Sequence, residues 1–277
     1  MKKRLLSALL VLCMMLTMAP VAFATGGGAD CPGGKDCEHV AAIATTHYET
    51  LQDAVNAVSG GTQTTITLLR NASGNGVKIQ SGNKIIFDLG GFTYTIDGET
   101  VGSSGTETNG FQLLKNSDIT FKNGTITSKM AKILIQNYSN LTLDSVTLNG
   151  ENLAGSAPYT LSNNFGNTVI KDSKIIAREG GYAFDLYYWP SNGYTEGVSV
   201  TVEGNSEIKG NVRYGSDETD TGKKDVAEKA SLDIKGGTFT GSLNTYGLDD
   251  SDATGINITG GTFQATDTSK WEEYVQN

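Results

Sequence analysis

The sequence predicts an all-β fold, a right-handed parallel β-helix, and three observations point to it. Gly is abundant and Pro scarce, at 35 and 4 residues, beside frequent Thr, Asn, Ile and Val. That mix suits short strands joined by tight turns. One short pattern recurs along the chain from Ile85 onward: apolar, any, apolar, any, two small or polar residues, any, apolar. The closest two copies start 22 residues apart, enough for one full coil of a right-handed stack. A period of about 18 residues would instead point to a left-handed one.

Taken from the N-terminus, residues 1–24 predict a secretory signal peptide. Lys2, Lys3 and Arg4 form a positive start, an apolar run follows to about Met18, and Ala22-Phe23-Ala24 offers a small-x-small cleavage site. The run is too short for a stable membrane span. The expectation is an exported chain, secreted or held at the cell surface, with no membrane insertion after cleavage. No hydrophobic tail or sorting motif indicates an anchor, so a piece of a longer surface protein is a further reading.

Residues 25–47 predict a linker carrying a cysteine pair. Once the leader with Cys13 is removed, Cys31 and Cys37 remain, and an even pair in an oxidising compartment predicts a small-loop disulfide. One rival is a pair of free thiols; the other is a metal site, because His39 and His47 follow in a C-x5-C-x-H-x7-H arrangement. That spacing differs from the common zinc patterns.

Residues 48–277 predict the β-helix domain. It opens on a capping helix over 49–58, where Tyr48, Leu51, Ala54, Val55 and Val58 share one face at helical spacing. Such a helix would block the open end of a stack. The repeat then reads ITFKNGTI from Ile119, LTLDSVTL from Leu141, TVIKDSKI from Thr168, VTVEGNSEI from Val200, LDIKGGTF from Leu232 and INITGGTF from Ile256, with a looser copy, IIFDLGGF, from Ile85. Alternating apolar residues make a strand with one face inward. The Asn-Gly, Asp-Ser and Gly-Gly positions tolerate the left-handed backbone of a sharp corner. Longer spacings are loops inserted into a coil, and the whole predicts about seven to eight coils. A third strand falls at Phe111–Lys115, Ile133–Gln136, Tyr182–Tyr188, Asn211–Tyr214 and Leu243–Tyr246, while the coil from Leu141 offers a poor one. Lys270–Gln276, with Trp271, Tyr274 and Val275, is a candidate cap for the far end.

The run from Tyr48 to Ala57, then Ile66-Thr-Leu-Leu-Arg-Asn71, then Ile86-Phe-Asp-Leu-Gly-Gly-Phe92, resembles the opening of pectin-lyase-like β-helix proteins of bacterial surfaces. Gly236–Phe239 and Gly260–Phe263, both Gly-Gly-Thr-Phe, are similar to later coils of that group. The resemblance covers roughly residues 38–277 and implies the fold. It carries no single activity, because such scaffolds host lyases, hydrolases, esterases, epimerases and adhesins alike. The hydrolases' Asn-Thr-Asp and Gly-His-Gly signatures and the pectate lyases' Arg-x-Pro-x-x-Arg are missing from this sequence.

Net charge is −9 and no basic stripe interrupts it. Phosphate neutralisation needs such a stripe, so nucleic acid is excluded as the expected partner, and anionic membranes are disfavoured. The expectation is a monomer whose partner is a polysaccharide or surface glycan.

Two clusters carry candidate chemistry. Between Tyr182 and Tyr194 six of thirteen residues are aromatic, in a chain that is 8% aromatic. Alternation sends Tyr182, Phe184, Leu186 and Tyr188 inward and Asp185, Tyr187 and Trp189 outward. On the next third strands Arg213 and Asn244 face outward too, so Asp185, Arg213 and Asn244 predict one polar track beside exposed rings. That combination suits sugar binding. The bland alternative is that the rings fill a wide coil and cover an inserted loop. The second cluster is acidic: Asp217, Glu218 and Asp220 after one third strand, and Asp249, Asp250 and Asp252 after the next. Carboxylates converging at one edge are candidate Ca²⁺ ligands, against a simpler reading as solvated loops.

The preferred expectation is a non-catalytic structural or adhesive module that binds glycans. The alternative is a polysaccharide lyase using Lys or Arg213, with Ca²⁺ held by the acidic loops.

Overall fold

A computed structural model describes residues 38–156, 158–217, 220–245, 248 and 253–276. The predicted leader, Cys31, Cys37, Glu218, Asp249, Asp250 and Asp252 lie outside them.

The protein is mostly β. Among the described residues its strands form a sixteen-stranded and an eight-stranded sheet, largely parallel. The large sheet contains two ladders joined through the long strands Asp118–Ser128 and Asn140–Gly150. The first ladder pairs Ile85 with Ile119 and Phe87 with Phe121, and continues through Leu141, Thr168, Val200 and Leu232 to Ile256. The second runs from Ala72–Gly74 through Thr93–Ile96 and onward to Thr262–Phe263. The smaller sheet takes the segments that follow: Val77–Ile79, Thr106–Leu113, Ile133–Asn137, Tyr159–Asn163, Tyr182–Tyr188, Asn211–Ser216 and Leu243–Asn244.

The repeat explains this. Its alternating apolar positions are buried, so like stacks on like; the rings of Phe87 and Phe121 lie 4.7 Å apart and nearly parallel. The corner between the first and second ladders is left-handed in every copy: Asn123, Ser145 and Asp172 take φ of 58°, 58° and 47°, where other copies use glycine. Between repeats the outward positions Asp88, Lys122, Asp144, Lys171 and Glu203 stand in one register, so acid alternates with base across four strand pairs. Lys122 reaches Asp88 at 3.1 Å.

Helix α1, Leu51–Asn56, forms inside the predicted 49–58 span, capped by Thr50, whose Oγ1 accepts from the Asp53 N–H at 3.1 Å. It buries Leu51, Ala54 and Val55. The Gln52 side chain accepts from the Lys78 N–H and donates to the Lys78 carbonyl, standing in for a neighbouring strand.

Several expectations need correction. The end of the predicted 25–47 linker is ordered: Ala41–Ile43 and Thr46–Tyr48 make an antiparallel hairpin, and the first of them pairs antiparallel with Gln63–Leu68. The repeat from Leu141, expected to offer only a poor third strand, is followed by one in the smaller sheet, Tyr159–Asn163, whose sequence hides it because Leu161 is its single apolar inward residue. Asp220 does not sit in a loop but opens helix α2, Asp220–Lys229, which buries Val226 beside Tyr214. Near the far end, helix α3, Ser269–Glu272, buries Trp271; its ring stacks on Phe263 at 4.8 Å and its Nε1 donates to the Gly241 carbonyl at 3.0 Å.

Candidate functional site on the smaller sheet

Parallel register on the smaller sheet generates a file of polar side chains. Lys78, Gln112, Gln136, Ser162, Asp185, Arg213 and Asn244 occupy corresponding positions on seven successive strands. Strand spacing of ~4.8 Å gives the file a length of roughly 29 Å. Asp185, Arg213 and Asn244 therefore stand in the order that alternation predicts. Asn244, at the end of the file, is exposed.

A depression of about 210 Å³ opens over the centre of the file. Gln136, Ser162, Asp185 and Arg213 line its floor, with Ile133 and Tyr159 on one side and Asn164, Tyr187 and Trp189 on the other. Tyr182 stacks on Tyr159 at 4.8 Å, extending the first wall. Tyr187 and Trp189 meet edge to face at 6.2 Å in the second. This corrects the inward assignment of Tyr182: a register shift between Tyr182 and Phe184 breaks the alternation, so Ala183 and Phe184 are both buried while Tyr182 stands among outer rings. Phe184, Leu186 and Tyr188 are buried as expected. Tyr194 stacks on Tyr138 at 4.8 Å and lies 6.4 Å from the Trp189 ring.

The floor is electrostatically unusual. Asp185 is 5% exposed. Its Oδ1 accepts from the Asn163 N–H at 2.9 Å, while the Asn163 side chain donates to the Asp185 carbonyl at 2.9 Å. Burial pushes the carboxyl up to about 7, against the opposing pull of the Asn163 N–H, the Ser162 hydroxyl and the Arg213 charge. Arg213 is half-buried and bridges the walls: Nη1 donates to the Tyr159 hydroxyl at 3.0 Å, and the guanidinium lies 5.3 Å from the Tyr187 ring centre. Burial, then the Asp185 charge, raises the Tyr159 phenol above its usual range. Gln136 donates to the Asn164 side chain, fixing the far part of the floor.

Tyr159, Ser162, Gln136 and Asn164 are the residues sequence reasoning missed. The signal was the shared final Asn of Ile-Leu-Ile-Gln-Asn137 and Tyr-Thr-Leu-Ser-Asn163, whose side chains bond to each other inside the stack at 3.2 Å.

The acidic cluster is not assembled among the described residues. Asp217 is buried, and its Oδ2 accepts from the Ser191 N–H at 2.9 Å, which ties down the turn after Trp189. Among the described residues no group of three or more His, Cys, Asp or Glu converges as a metal site. Asp185 is the one carboxylate among the residues lining the depression.

Comparison with protein-family models and with curated protein sequences finds no significant match.

Proposed function

We propose that this chain is an exported, monomeric right-handed parallel β-helix, related to the pectin-lyase-like proteins of bacterial surfaces, that binds glycans through the smaller sheet without cleaving them. Three ladders in the order first, second, smaller sheet, repeated along the chain, support the coil. Right-handed crossovers between parallel strands are the strong rule. The leader-like residues 1–24 support export to the medium or the cell surface.

One observation carries the binding assignment: a register-aligned polar floor lies between half-buried aromatic walls. Sugar rings present C–H faces to aromatic rings and hydroxyls to polar side chains. Tyr159, Tyr187 and Trp189 supply the first contact, and Gln136, Ser162, Asp185 and Arg213 the second. The floor runs across strands and is shallow, which suits a chain of sugars lying along the stack better than an enclosed small molecule. The test is a panel of immobilised plant, host and bacterial polysaccharides probed with wild-type protein and with Trp189→Ala. Retention of one class by wild type and its loss in the variant supports the assignment; equal retention removes it.

A second reading is favoured by Asp185, whose carboxyl titrates near neutrality beside Arg213 and a phenol. Those are proton-transfer groups of the kind a polysaccharide lyase uses. A hydrolase fits less well, since it works with two carboxylates about 5–9.5 Å apart. New ultraviolet absorption from a uronic-acid polymer, lost in Asp185→Asn and Arg213→Lys, would make the site catalytic. Loss with EDTA would add the Ca²⁺ of the lyase alternative.

A further inference from the structure

A second depression, of about 440 Å³, opens where the smaller sheet gives way to the first ladder. Its floor is another polar file: Asn140, Asn167, Ser199 and Ser231 stand in one register near the starts of successive first-ladder strands. Asn140 Oδ1 accepts from the Asn167 N–H at 3.1 Å, and the Ser199 hydroxyl donates to Asn167 Oδ1 at 2.7 Å. These strands follow, in the chain, the smaller-sheet strands that carry Gln136, Ser162, Asp185 and Arg213. The two depressions therefore span the same repeats, side by side.

A ridge of aromatic rings runs between them. Trp189, in the wall of the first, lies 6.4 Å from Tyr194, and Tyr194 lies 5.7 Å from Phe165, in the lining of the second. Tyr138 stacks against Tyr194 at 4.8 Å. Lys115 Nζ sits 4.4 Å from the Phe165 ring centre and pairs with Glu196 at 2.8 Å. The loop that carries Trp189 and Tyr194 is tied down at both ends, by Asp217 on the Ser191 N–H and by Lys115 on Glu196. Trp189, Tyr194 and Phe165 are all half-buried, so each keeps a part of its surface open to a ligand.

We propose that the protein selects branched polysaccharides, with the main chain in the first depression and a neutral branch that crosses Tyr194 into the second. This rests on the glycan-binding reading above and adds to it the class of glycan. The two depressions run side by side, so an unbranched chain lying along one leaves the other empty. The second holds sugar by the same means as the first, with amide and hydroxyl groups on its floor and an aromatic ring, Phe165, at its side. Its charges balance: Glu196 is matched by Lys115, and Glu228 is followed by Lys229. No excess of cations is left to select an acidic branch.

The test titrates the purified full chain with matched pairs of soluble oligosaccharides. Linear manno-, xylo- and cello-oligosaccharides are set against galactosyl-, arabinosyl- and xylosyl-branched forms of the same main chains. Fluorescence of Trp189 reports binding, because the other tryptophan of the chain, Trp271, is buried near the far end. In at least one pair the branched member should bind about tenfold more tightly than the linear one. That comparison needs no variant to fold. Phe165→Ala and Asn167→Ala should each bring the branched probe down toward the linear one, and Asn167 is exposed, so its truncation spares the core. Equal affinity within every pair that binds overturns the proposal while the glycan-binding reading stands. So does a branched preference that survives both substitutions. Binding of no pair also overturns it, and the immobilised panel then decides the glycan-binding reading separately.

Discussion

Asp185 and Arg213 face each other on neighbouring parallel strands, and solvent reaches the second far more than the first. Attraction between them favours an ionised Asp185, yet burial of the carboxyl outweighs it. The acid is therefore poised near neutral pH, held under a cation that also grips the opposite wall through Tyr159.

Stability should follow this group. Its native value of about 7 lies above the ordinary 3.8. Between those values the native state keeps a proton that the unfolded chain gives up, so stability falls as pH rises across that window and the loss is complete above it. Asp185→Asn removes the titration. Relative to wild type the variant should gain stability from pH 4 to pH 8, by at most about 4 kcal/mol. Denaturant unfolding at several pH values checks this; a difference independent of pH contradicts it.

The alternating file Asp88, Lys122, Asp144, Lys171 and Glu203 predicts a charge-reversal effect. Lys171→Glu puts three acids in succession on adjacent strands. Each like-charge neighbour should cost roughly 0.5–1 kcal/mol. The sites are partly solvated, so added salt should recover much of the loss. Thermal unfolding at low and high ionic strength reads both effects.

The corners predict opposite responses to substitution. Ser145 holds φ of 58° with a side chain present, so Ser145→Gly relieves strain. It should be neutral or stabilising by about 1 kcal/mol, after the added entropy of the unfolded chain. Gly237 sits at φ of 95°, and a Cβ there would meet the Ser206 carbonyl at 2.9 Å. Gly237→Ala should destabilise by about 1–3 kcal/mol. Equal responses at the two corners would contradict the repeat geometry.

The apolar alternation made the two ladders of the large sheet legible, because each copy must bury the same positions against its neighbours. The smaller sheet was legible where apolar residues mark it, as at Tyr182–Tyr188. It failed at Tyr159–Asn163, where Asn163 points inward and satisfies itself on Asn137, Thr168 and the Asp185 carbonyl. A polar residue paid for by hydrogen bonds leaves no hydrophobic signal. That strand and the residue after it supply Tyr159, Ser162 and Asn164 to the groove, so only Asp185, Tyr187, Trp189 and Arg213 of its lining were foreseen. Tyr182 escaped because a local register shift reverses alternation. Helix α2 escaped because Val226 is the one apolar residue that its sequence offers at a buried position.

Binding energetics at the walls test the account most directly. Titration calorimetry of the full chain with the polysaccharide retained in the panel should give saturable binding with no new reducing ends or unsaturated product. Trp189→Ala and Tyr187→Ala should each weaken it about three- to tenfold. Binding that ignores Tyr187 and Trp189, or cleavage that depends on Asp185, would contradict the account of this groove as a non-catalytic glycan site.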